Sequence, residues 1–389
     1  MKAKIPARTK VVQGQPSWRL ASGQVEAFVT EQGGHLGPVT FDRAGRKIQP
    51  FSVTPWAKEK PDFKLPPILR VLRGDFFCLP FGGNATPFHD EQHPVHGETA
   101  NAKWRLESLE NRTKRKCLHL RLVTKIRPGC VDKRIFLVEG QNVVYSRHTI
   151  SGMQGPMDLG HHAMLKFPDA PGSGVLSLSP FVYGQVFPGM FERPENGGYN
   201  SLKAGRTFDS LERVPTFGGE IADLTAYPAR RGFEDLVMVV SDATLPFAWT
   251  TVTFPKEGYV WFALKDPRIL RSTVLWISNG GRYYPPWSGR HVNIMGLEEV
   301  TANFHYGLAE SAKPNPISQQ GYPTCLQLDP ARPLTVPYIM GVAMIPSGFD
   351  RVAGIEEAKD GIMLRSASGK KVFAAVALDF LRPDASGWE

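Results

Sequence analysis

The segment 117–150 reads CLHLRLVTKIRPGCVDKRIFLVEGQNVVYSRHTI and decides the fold class. Its first run places a leucine at every second position from Leu118 to Leu122. Such alternation is typical of a β-strand with one buried face, because successive side chains of a strand point to opposite sides. The pairs Pro128-Gly129 and Glu139-Gly140 are turn signals that divide the segment into three runs. The segment therefore predicts three strands joined by short turns.

The same alternation continues on both sides of this segment, and turn signals recur at short intervals. The 389-residue chain holds 38 glycines and 33 prolines, which suits many short strands joined by turns. Helical periodicity is nearly absent. These features predict an all-β fold of packed antiparallel sheets with little helix. We expect the strand-like runs Val336–Met344 and Lys371–Leu378 to complete the same sheets rather than to form a second domain.

The chain carries a formal net charge of +9, but its pattern does not indicate a nucleic-acid groove. The clearest basic run, Arg112–Lys116, lies between alternating runs and lacks interleaved aromatic residues, so it is typical of a solvated hairpin turn. The basic N-terminus is not followed by an apolar run, which argues against a secretory signal peptide. No stretch approaches the roughly 20 apolar residues of a membrane span. We therefore expect no nucleic-acid partner and no membrane.

The four cysteines show neither a C-x-x-C pair nor the spacing of a metal site. They are Cys78, Cys117, Cys130 and Cys325. A chain of this length does not need disulfides, and reduced cysteines are the simplest interpretation. We accordingly expect a cytoplasmic protein. Separately, we expect a monomer or a homodimer.

Three clusters of polar and aromatic residues carry the candidate chemistry. Their members are Arg73, Gly74, His96, Gly97, Asn101 and Trp104; His161 and His162; and Trp287, Gly296, Leu297, Glu298 and Glu299. Sugars need this mixture, because hydroxyls require hydrogen-bond partners and C–H faces pack on aromatic rings. The residues alone equally allow a structural role, in which the polar groups stabilise their own turns.

In two pairs of neighbouring residues, only one side chain can point into the cleft. His161 and His162 fall in a predicted strand, as do Glu298 and Glu299, and adjacent side chains of a strand point to opposite faces. Only one member of each pair can enter a given cleft, and we expect the other glutamate to be solvated. The sequence leaves open which of the two histidines faces the cleft.

A metal site is the main competing interpretation of the first cluster. His89, Asp90, His93 and His96 lie close together and are residue types that bind zinc or iron. They occupy a turn-rich loop with Pro94 between two of the histidines, and the cupin-like spacing of two histidines separated by one residue is missing. We therefore predict no metal and no other cofactor.

In their order and separation, the three clusters resemble the aldose 1-epimerase (galactose mutarotase) superfamily, especially its hexose-6-phosphate epimerase-type and further bacterial branches. The matching motifs, spread over residues 56–303, are Arg73-Gly74, Pro80-Phe81-Gly82, His96-Gly97 with Trp104, His162, and Gly296-Leu297-Glu298. The resemblance implies a galactose-mutarotase-like β-supersandwich of antiparallel sheets. It also implies that residues 1–389 form a single carbohydrate-binding domain.

The resemblance further implies roles for individual residues. Glu298 would be the general base that takes the proton of the anomeric hydroxyl, and His162 the general acid that protonates the ring oxygen. The ring would open to the aldehyde, rotate about the first carbon–carbon bond and close on the other face. The residues expected to bind the sugar are Arg73, His96, Asn101, Asp223 and Trp287. The substrate would be a monosaccharide or a sugar derivative.

The sequence departs from the family pattern at several positions. Glu299 stands where proline commonly follows the base, and Met164 and Leu165 stand where aromatic residues usually follow the acid histidine. Glu98 occupies the region in which the phosphate-sugar branch has an arginine, which weakens the case for a sugar phosphate. The alternative function is a non-catalytic carbohydrate-binding or sensing protein that kept the cleft and lost the chemistry.

Overall fold

β-Strands are the main regular secondary structure of the computed structural model, which describes residues 8–59, 62, 64–382 and 386–388. The strands are β1 (Lys10–Val12), β2 (Gln15–Ala21), β3 (Glu26–Thr30), β4 (Leu36–Thr40), β5 (Phe77–Cys78), β6 (Arg105–Asn111), β7 (Arg115–Thr124), β8 (Gly129–Val138), β9 (Val143–Ser151), β10 (Gly155–Met157), β11 (Leu159–His161), β12 (Ala163–Lys166), β13 (Gly174–Leu178), β14 (Phe181–Val186), β15 (Thr207–Phe208), β16 (Val214–Pro215), β17 (Ile221–Ala222), β18 (Ala226–Tyr227), β19 (Phe233–Ser241), β20 (Ala248–Phe254), β21 (Tyr259–Lys265), β22 (Ser272–Asn279), β23 (Ile294–Thr301), β24 (Leu326–Leu328), β25 (Leu334–Met344), β26 (Val352–Ala358), β27 (Gly361–Ser366) and β28 (Lys371–Ala375). The helices are short: α1 (Pro67–Val71), α2 (Gly97–Asn101) and α3 (Leu308–Ala312), with 3₁₀ helices at Pro194–Asn196, Ser318–Gln320, Leu378–Leu381 and Ser386–Trp388. The prediction of an all-β fold with little helix is confirmed.

Two large antiparallel sheets form the body of the fold. The nine-stranded sheet has the order β18-β13-β20-β21-β25-β9-β8-β7-β6. The eight-stranded sheet has the order β15-β14-β19-β22-β23-β11-β5, and β12 also pairs with β23. The segment that decided the fold class forms three neighbouring strands of the first sheet, β7, β8 and β9. The basic run Arg112–Lys116 spans the hairpin turn between β6 and β7, as predicted, and the turn itself is exposed.

Alternation along the strands of the eight-stranded sheet separates two hydrophobic cores. On β23, the odd-numbered Met295 and Leu297 pack into the core between the two large sheets. The even-numbered Ile294 and Val300 belong to a second core on the opposite face, together with Trp276 of β22. Because strand side chains alternate, the parity of a position decides which core it enters. The face that carries the second core is called the outer face below.

Smaller sheets flank this body. Strands β1–β4 form a four-stranded N-terminal sheet, and its residues Trp18, Leu20 and Val29 contribute to the core between the large sheets. Strands β26–β28 form a separate three-stranded sheet. Its Ile355 and Ile362 pack with residues of the nine-stranded sheet, on the side that faces away from the eight-stranded sheet.

The positions of the two C-terminal strand-like runs agree only in part with the prediction. Val336–Met344 lies within β25, in the middle of the nine-stranded sheet, as expected. Lys371–Ala375 forms β28 and pairs with β27, so the prediction that Lys371–Leu378 completes the large sheets is wrong. The physical reason is that buried residues such as Phe262 make the second face of the nine-stranded sheet apolar, and the C-terminal sheet covers that face instead of extending an edge. A single domain over residues 1–389 remains a prediction.

Two further observations concern the earlier expectations. All four cysteines are free thiols, which agrees with the expectation of reduced cysteines. In the described part of the chain, no helix has both the length and the apolar character needed to cross a membrane.

Candidate active site

A cleft of about 630 Å³, its open mouth included, lies on the outer face of the eight-stranded sheet. Its polar lining residues are His96, His162, Arg282, Glu298 and His305. Its apolar lining residues are Pro66, Ile68, Leu69, Leu72, Phe76, Val95, Phe191, Leu236, Trp276 and Trp287. Strands β19, β22 and β23 supply one side of the cleft, and α1 with several loops supplies the rest. A cleft of this size with a few converging polar groups is typical of a small-molecule site.

His162 and Glu298 form a cross-strand pair within the cleft. Strands β11 and β12 keep one continuous register with β23, in which Ala163 pairs with Leu297. His162 therefore stands opposite Glu298, and opposed residues of antiparallel strands place their side chains on the same face. The distance between His162 Nε2 and Glu298 Oε1 is 3.1 Å, and both side chains are almost completely buried.

The Gly-Leu-Glu motif has a steric reason. A Cβ atom on Gly296 would lie 2.6 Å from Glu298 Oε1 and 3.0 Å from Trp276 Cβ. A larger residue at this position would therefore displace the carboxylate. Glycine leaves the space in which the side chain of Glu298 reaches His162.

Burial acts in opposite directions on the pKa values of the pair. Desolvation raises the pKa of the Glu298 carboxyl well above its ordinary range, although the Arg282 guanidinium opposes this shift. Desolvation, with smaller contributions from the nearby His305 and Arg282, lowers the pKa of the His162 imidazole to about 3. Both shifts disfavour charge, so the free pair holds one proton on the carboxyl. His162 Nδ1 and Glu298 Oε2 have no hydrogen-bond partner among the described residues.

His96 is held in one orientation and one tautomer beside this pair. It precedes α2 with a left-handed backbone conformation, φ 58°. The backbone N–H of Gly82 donates to His96 Nδ1 at 3.2 Å, so the hydrogen of the neutral ring is on Nε2. The centroid of the His96 ring lies 4.9 Å from that of His162 and 5.0 Å from that of His305. His96 therefore offers an N–H donor next to the acid–base pair.

Sequence reasoning did not assign a role to two cleft residues, Arg282 and His305. The guanidinium of Arg282 lies 4.6 Å from the ring centroid of Trp287 and 5.2 Å from that of Trp276. Its Nε donates to Glu192 Oε1 at 2.6 Å. Arg282 follows the end of β22, and His305 follows the end of β23. Both residues come just after strands that form the cleft, and this position in the sequence is the feature that could have identified them as cleft residues.

A layer of buried polar groups behind the cleft fixes Trp276. Glu234 is fully buried and accepts hydrogen bonds from Trp276 Nε1 and Ser278 Oγ, each at 2.9 Å. The ring of His291 stacks on Trp276 with the centroids 5.3 Å apart, and its Nδ1 lies 2.6 Å from Ser278 Oγ. Burial raises the pKa of Glu234 to about 7, although the charge of Arg282 opposes this shift. Trp276 is thus held both by a hydrogen bond and by stacking.

Trp287, which was expected to bind the sugar, does line the cleft. Its ring meets Trp56 edge to face at 5.1 Å and Trp276 edge to face at 5.9 Å. It is almost fully buried. Together with Trp276 it presents the aromatic surface on which the C–H face of a sugar can pack.

Arg73 does not line the cleft, contrary to the prediction that it binds a sugar. Its side chain is completely buried, and its guanidinium donates to the carbonyl oxygens of Val71, Val12 and Gln13 at 2.9 to 3.0 Å. These bonds tie the N-terminal residues to the loop that precedes β5. The guanidinium of the cleft comes from Arg282 instead.

Asn101 and Asp223 also lie outside the cleft lining, so the prediction that they bind the sugar does not fit their positions. Asn101 Nδ2 donates to the carbonyl of Val95 at 2.7 Å, and its Oδ1 accepts the N–H of Ile68 at 3.1 Å. Because Ile68 and Val95 do line the cleft, Asn101 supports the wall from behind. Asp223 is exposed, and its Oδ1 accepts the backbone N–H of Thr225 at 2.8 Å in a turn.

The sequence neighbours of the pair face the other way, into the core between the sheets. His161 Nδ1 lies 2.9 Å from Asp75 Oδ2, and Glu299 forms an ion pair with Lys265. All four of these residues are buried. Of the two histidines, His162 is therefore the one that faces the cleft. The expectation of a solvated second glutamate is wrong, because the nine-stranded sheet covers the odd-numbered face of β23.

The histidines that were considered as metal ligands do not lie together in one site. His93 Nε2 lies 2.9 Å from Glu91 Oε2, and the ring of His89 packs beside Phe88, whereas His96 lines the cleft. Within the described ranges, no group of three or more His, Cys, Asp or Glu side chains is arranged to hold a metal ion. That the protein requires no metal stays a prediction.

Solved structures of other proteins share this architecture. A galactose mutarotase-like protein from Clostridium acetobutylicum matches with a TM-score of 0.59 and 12% identity, covering 87% of this chain and 98% of that chain. A protein from Escherichia coli K12, named as a candidate aldose 1-epimerase, matches with a TM-score of 0.56 and 15% identity, covering 85% and 100%. A galactose mutarotase related enzyme from Lactobacillus acidophilus matches with a TM-score of 0.53 and 12% identity, covering 85% and 99%.

These likenesses, at such low identity, establish the fold. No protein-family model and no curated protein matches the sequence. The chain has the galactose-mutarotase-like fold, and the predicted β-supersandwich of antiparallel sheets is confirmed.

Proposed function

We propose that the protein is an aldose 1-epimerase-type enzyme that interconverts the anomers of a reducing sugar. The observation that carries the proposal is the contact between His162 and Glu298 inside the cleft. Anomer interconversion needs one group that takes a proton from the anomeric hydroxyl and another that gives a proton to the ring oxygen. Both oxygens are bonded to the same carbon, so an acid and a base in mutual contact can reach them together.

In the proposed reaction, the proton shared by the pair starts on His162. An anomeric hydroxyl that donates to Glu298 favours the carboxylate, and the proton then resides on the imidazole. Glu298 takes the hydroxyl proton, the bond between the anomeric carbon and the ring oxygen breaks, and His162 protonates the ring oxygen. The aldehyde rotates about its first carbon–carbon bond, and the reverse steps close the ring on the other face.

The charge state of the pair matches the open form of the sugar. After ring opening, Glu298 is protonated and His162 is neutral, and burial favours these two states. Ring opening therefore returns the pair to the charge state that the free site holds. The steps balance in protons, and each of the two groups can contribute roughly 10²–10⁴-fold to the rate.

The other polar groups of the cleft suit the binding of hydroxyls. His96 offers Nε2–H, and the guanidinium of Arg282 offers several N–H groups, all of which are donors to hydroxyl oxygens. Trp276 and Trp287 offer ring surface to the C–H face of the sugar. In this proposal Arg282 takes the role that the family resemblance implied for Arg73.

Exchange NMR on a panel of reducing sugars measures anomer interconversion directly. Glu298→Gln should abolish turnover, because the amide keeps the shape of the carboxyl but cannot take a proton at neutral pH. His162→Asn should lower turnover roughly 10²–10⁴-fold. The double variant should lose little more than the worse single variant, since acid and base act as one unit. The matched control is Glu357→Gln, at an exposed position on β26, which should keep the wild-type rate.

Sugar binding is followed separately by tryptophan fluorescence, since Trp276 and Trp287 line the cleft. Glu298→Gln should bind the sugar with nearly unchanged affinity. Wild-type turnover in Glu298→Gln would refute the proposed base. If the wild-type protein binds sugars but turns over none of the panel, the carbohydrate-binding alternative takes the place of the enzyme.

A further inference from the structure

One wall of the cleft is apolar. It contains Ile68 and Leu69 of α1 and Leu72 just after that helix, and Leu236 of β19 adds to the apolar lining. None of these side chains can hydrogen-bond. A sugar hydroxyl placed against them would lose water without gaining a partner, and such a buried, unpaired group weakens binding.

The polar groups of the cleft are gathered around the acid–base pair. The rings of His96 and His162 lie 4.9 Å apart, and the ring of His305 lies 5.0 Å from that of His96. With Glu298 and His162 occupied at the anomeric carbon and ring oxygen, His96, His305 and Arg282 remain in the described lining for other hydroxyls. These donors serve the hydroxyls of the ring. The exocyclic carbon is attached next to the ring oxygen, and the ring of Phe76, which stacks on that of His162 with the centroids 4.5 Å apart, belongs to the same apolar cluster as Ile68 and Leu72. The exocyclic group is therefore left to the apolar wall.

The charge of the cleft does not favour an anionic sugar. Arg282 is the cation of the described lining, and its Nε is already paired with Glu192 at 2.6 Å. The buried carboxyl of Glu234 is a second nearby partner for its charge. A phosphate or carboxylate on the sugar would therefore meet a guanidinium that is already paired with protein carboxyl groups. It would also lie close to the carboxyl group of Glu298. The chemistry of the site fits a neutral ligand.

Building on the proposed function, we propose that the substrate is a neutral 6-deoxy sugar, a hexopyranose whose exocyclic carbon is a methyl group. The methyl group would pack against Ile68, Leu69 and Leu72, where the hydroxyl of a hydroxymethyl group would find no partner. Discrimination of this kind amounts to roughly tenfold or more in kcat/KM. The proposal extends the proposed function from a reaction type to a class of substrate.

The test compares sugars that differ by one oxygen atom. Exchange NMR gives kcat/KM for D-fucose against D-galactose and for L-rhamnose against L-mannose, with glucose 6-phosphate as the anionic probe. In the pair whose ring configuration the cleft accepts, the deoxy sugar should be preferred roughly tenfold or more. Leu69→Gln gives the exocyclic hydroxyl a partner and should lower this preference roughly tenfold. The matched control is Leu109→Gln, a half-buried leucine on β6 outside the cleft, which should leave the preference unchanged.

Two different failures can be told apart. Equal turnover within both pairs, a preference for the hydroxymethyl sugars, or preferred turnover of glucose 6-phosphate would overturn the substrate class while the proposed reaction stands. Absence of turnover with every sugar would instead count against the proposed reaction. In that case the dissociation constants of the same pairs of sugars, measured by tryptophan fluorescence, still decide the substrate class. Tighter binding of the deoxy sugar than of its hydroxymethyl counterpart supports the proposed class, and equal or weaker binding overturns it.

Discussion

Glu298 and Glu299 are adjacent on β23, and the change of glutamate to glutamine should have opposite consequences at the two positions. Glu299 and Lys265 are each 1% exposed and form a buried ion pair. Glu299 Oε2 also accepts a hydrogen bond from Thr273 Oγ1 at 2.7 Å, and Lys265 Nζ donates to the carbonyl of Ser272 at 2.9 Å. Glu299→Gln would leave the ammonium group buried without its counter-charge, so the folded protein should lose stability.

The size of this loss follows from the burial of both partners. Removing one member of a buried ion pair costs about 3–5 kcal/mol. With an unfolding entropy of about 2.1 cal/mol/K per residue over 389 residues, or roughly 0.8 kcal/mol/K, the melting temperature should fall by about 4–6 °C. Turnover, measured below the melting range, should change little, because Glu299 faces the core and not the cleft.

Glu298→Gln should show the reverse pattern. Burial raises the folded-state pKa of Glu298 above its unfolded value, so the stability that the protonated carboxyl contributes is lost as the pH rises through the folded pKa. Glutamine carries no charge at any pH in this range. The variant should therefore be no less stable than the wild type at neutral pH and relatively more stable at alkaline pH, while its turnover is lost.

The assay combines thermal denaturation, followed by tryptophan fluorescence, with exchange NMR on the same preparations. A rescue variant, Glu299→Leu with Lys265→Met, removes both charges and should recover most of the lost stability, since replacing a whole buried pair with apolar residues is often neutral. If Glu299→Gln melts within about 1 °C of the wild type, or if the rescue variant is no more stable than the single variant, the reasoning about the buried pair is refuted.

Two further predictions concern buried residues outside the cleft lining. The pKa of Glu234 is raised from 4.5 to about 7, so its contribution to stability is present below pH 4.5 and is lost as the pH rises through 7. Urea denaturation measures the free energy of unfolding at pH 4.5 and at pH 8. Between these two pH values the wild type should lose roughly 3 kcal/mol of stability relative to Glu234→Gln. Arg73→Ala leaves one buried and two partly buried carbonyl oxygens without their charged donor and should lower the free energy of unfolding by about 3 kcal/mol or more. Its sugar affinity, measured by fluorescence titration, should match the wild type, and a loss of affinity without a loss of stability would contradict the structural role of Arg73.

Local pattern was sufficient to predict many of the strands. The alternation from Leu118 onward and the turns near Pro128 and Glu139 are short-range features, and they correspond to β7, β8 and β9. The order of the motifs similarly singled out His96, His162 and Glu298, which the structure brings together in one cleft. Strand periodicity and motif order depend on neighbouring residues and on chain order, so both can be read without knowing the packing.

The direction in which each side chain faces depended on contacts between distant parts of the chain. Arg73 bonds carbonyl oxygens about 60 positions earlier, at Val12 and Gln13, and no local pattern distinguishes such an arginine from one that lines a cleft. Alternation shows that Glu298 and Glu299 face opposite ways, but which of them is covered depends on where the nine-stranded sheet packs. Burial and charge pairing are properties of the assembled sheets, and for that reason the tertiary structure was needed to place Arg282 in the cleft and Glu299 in the core.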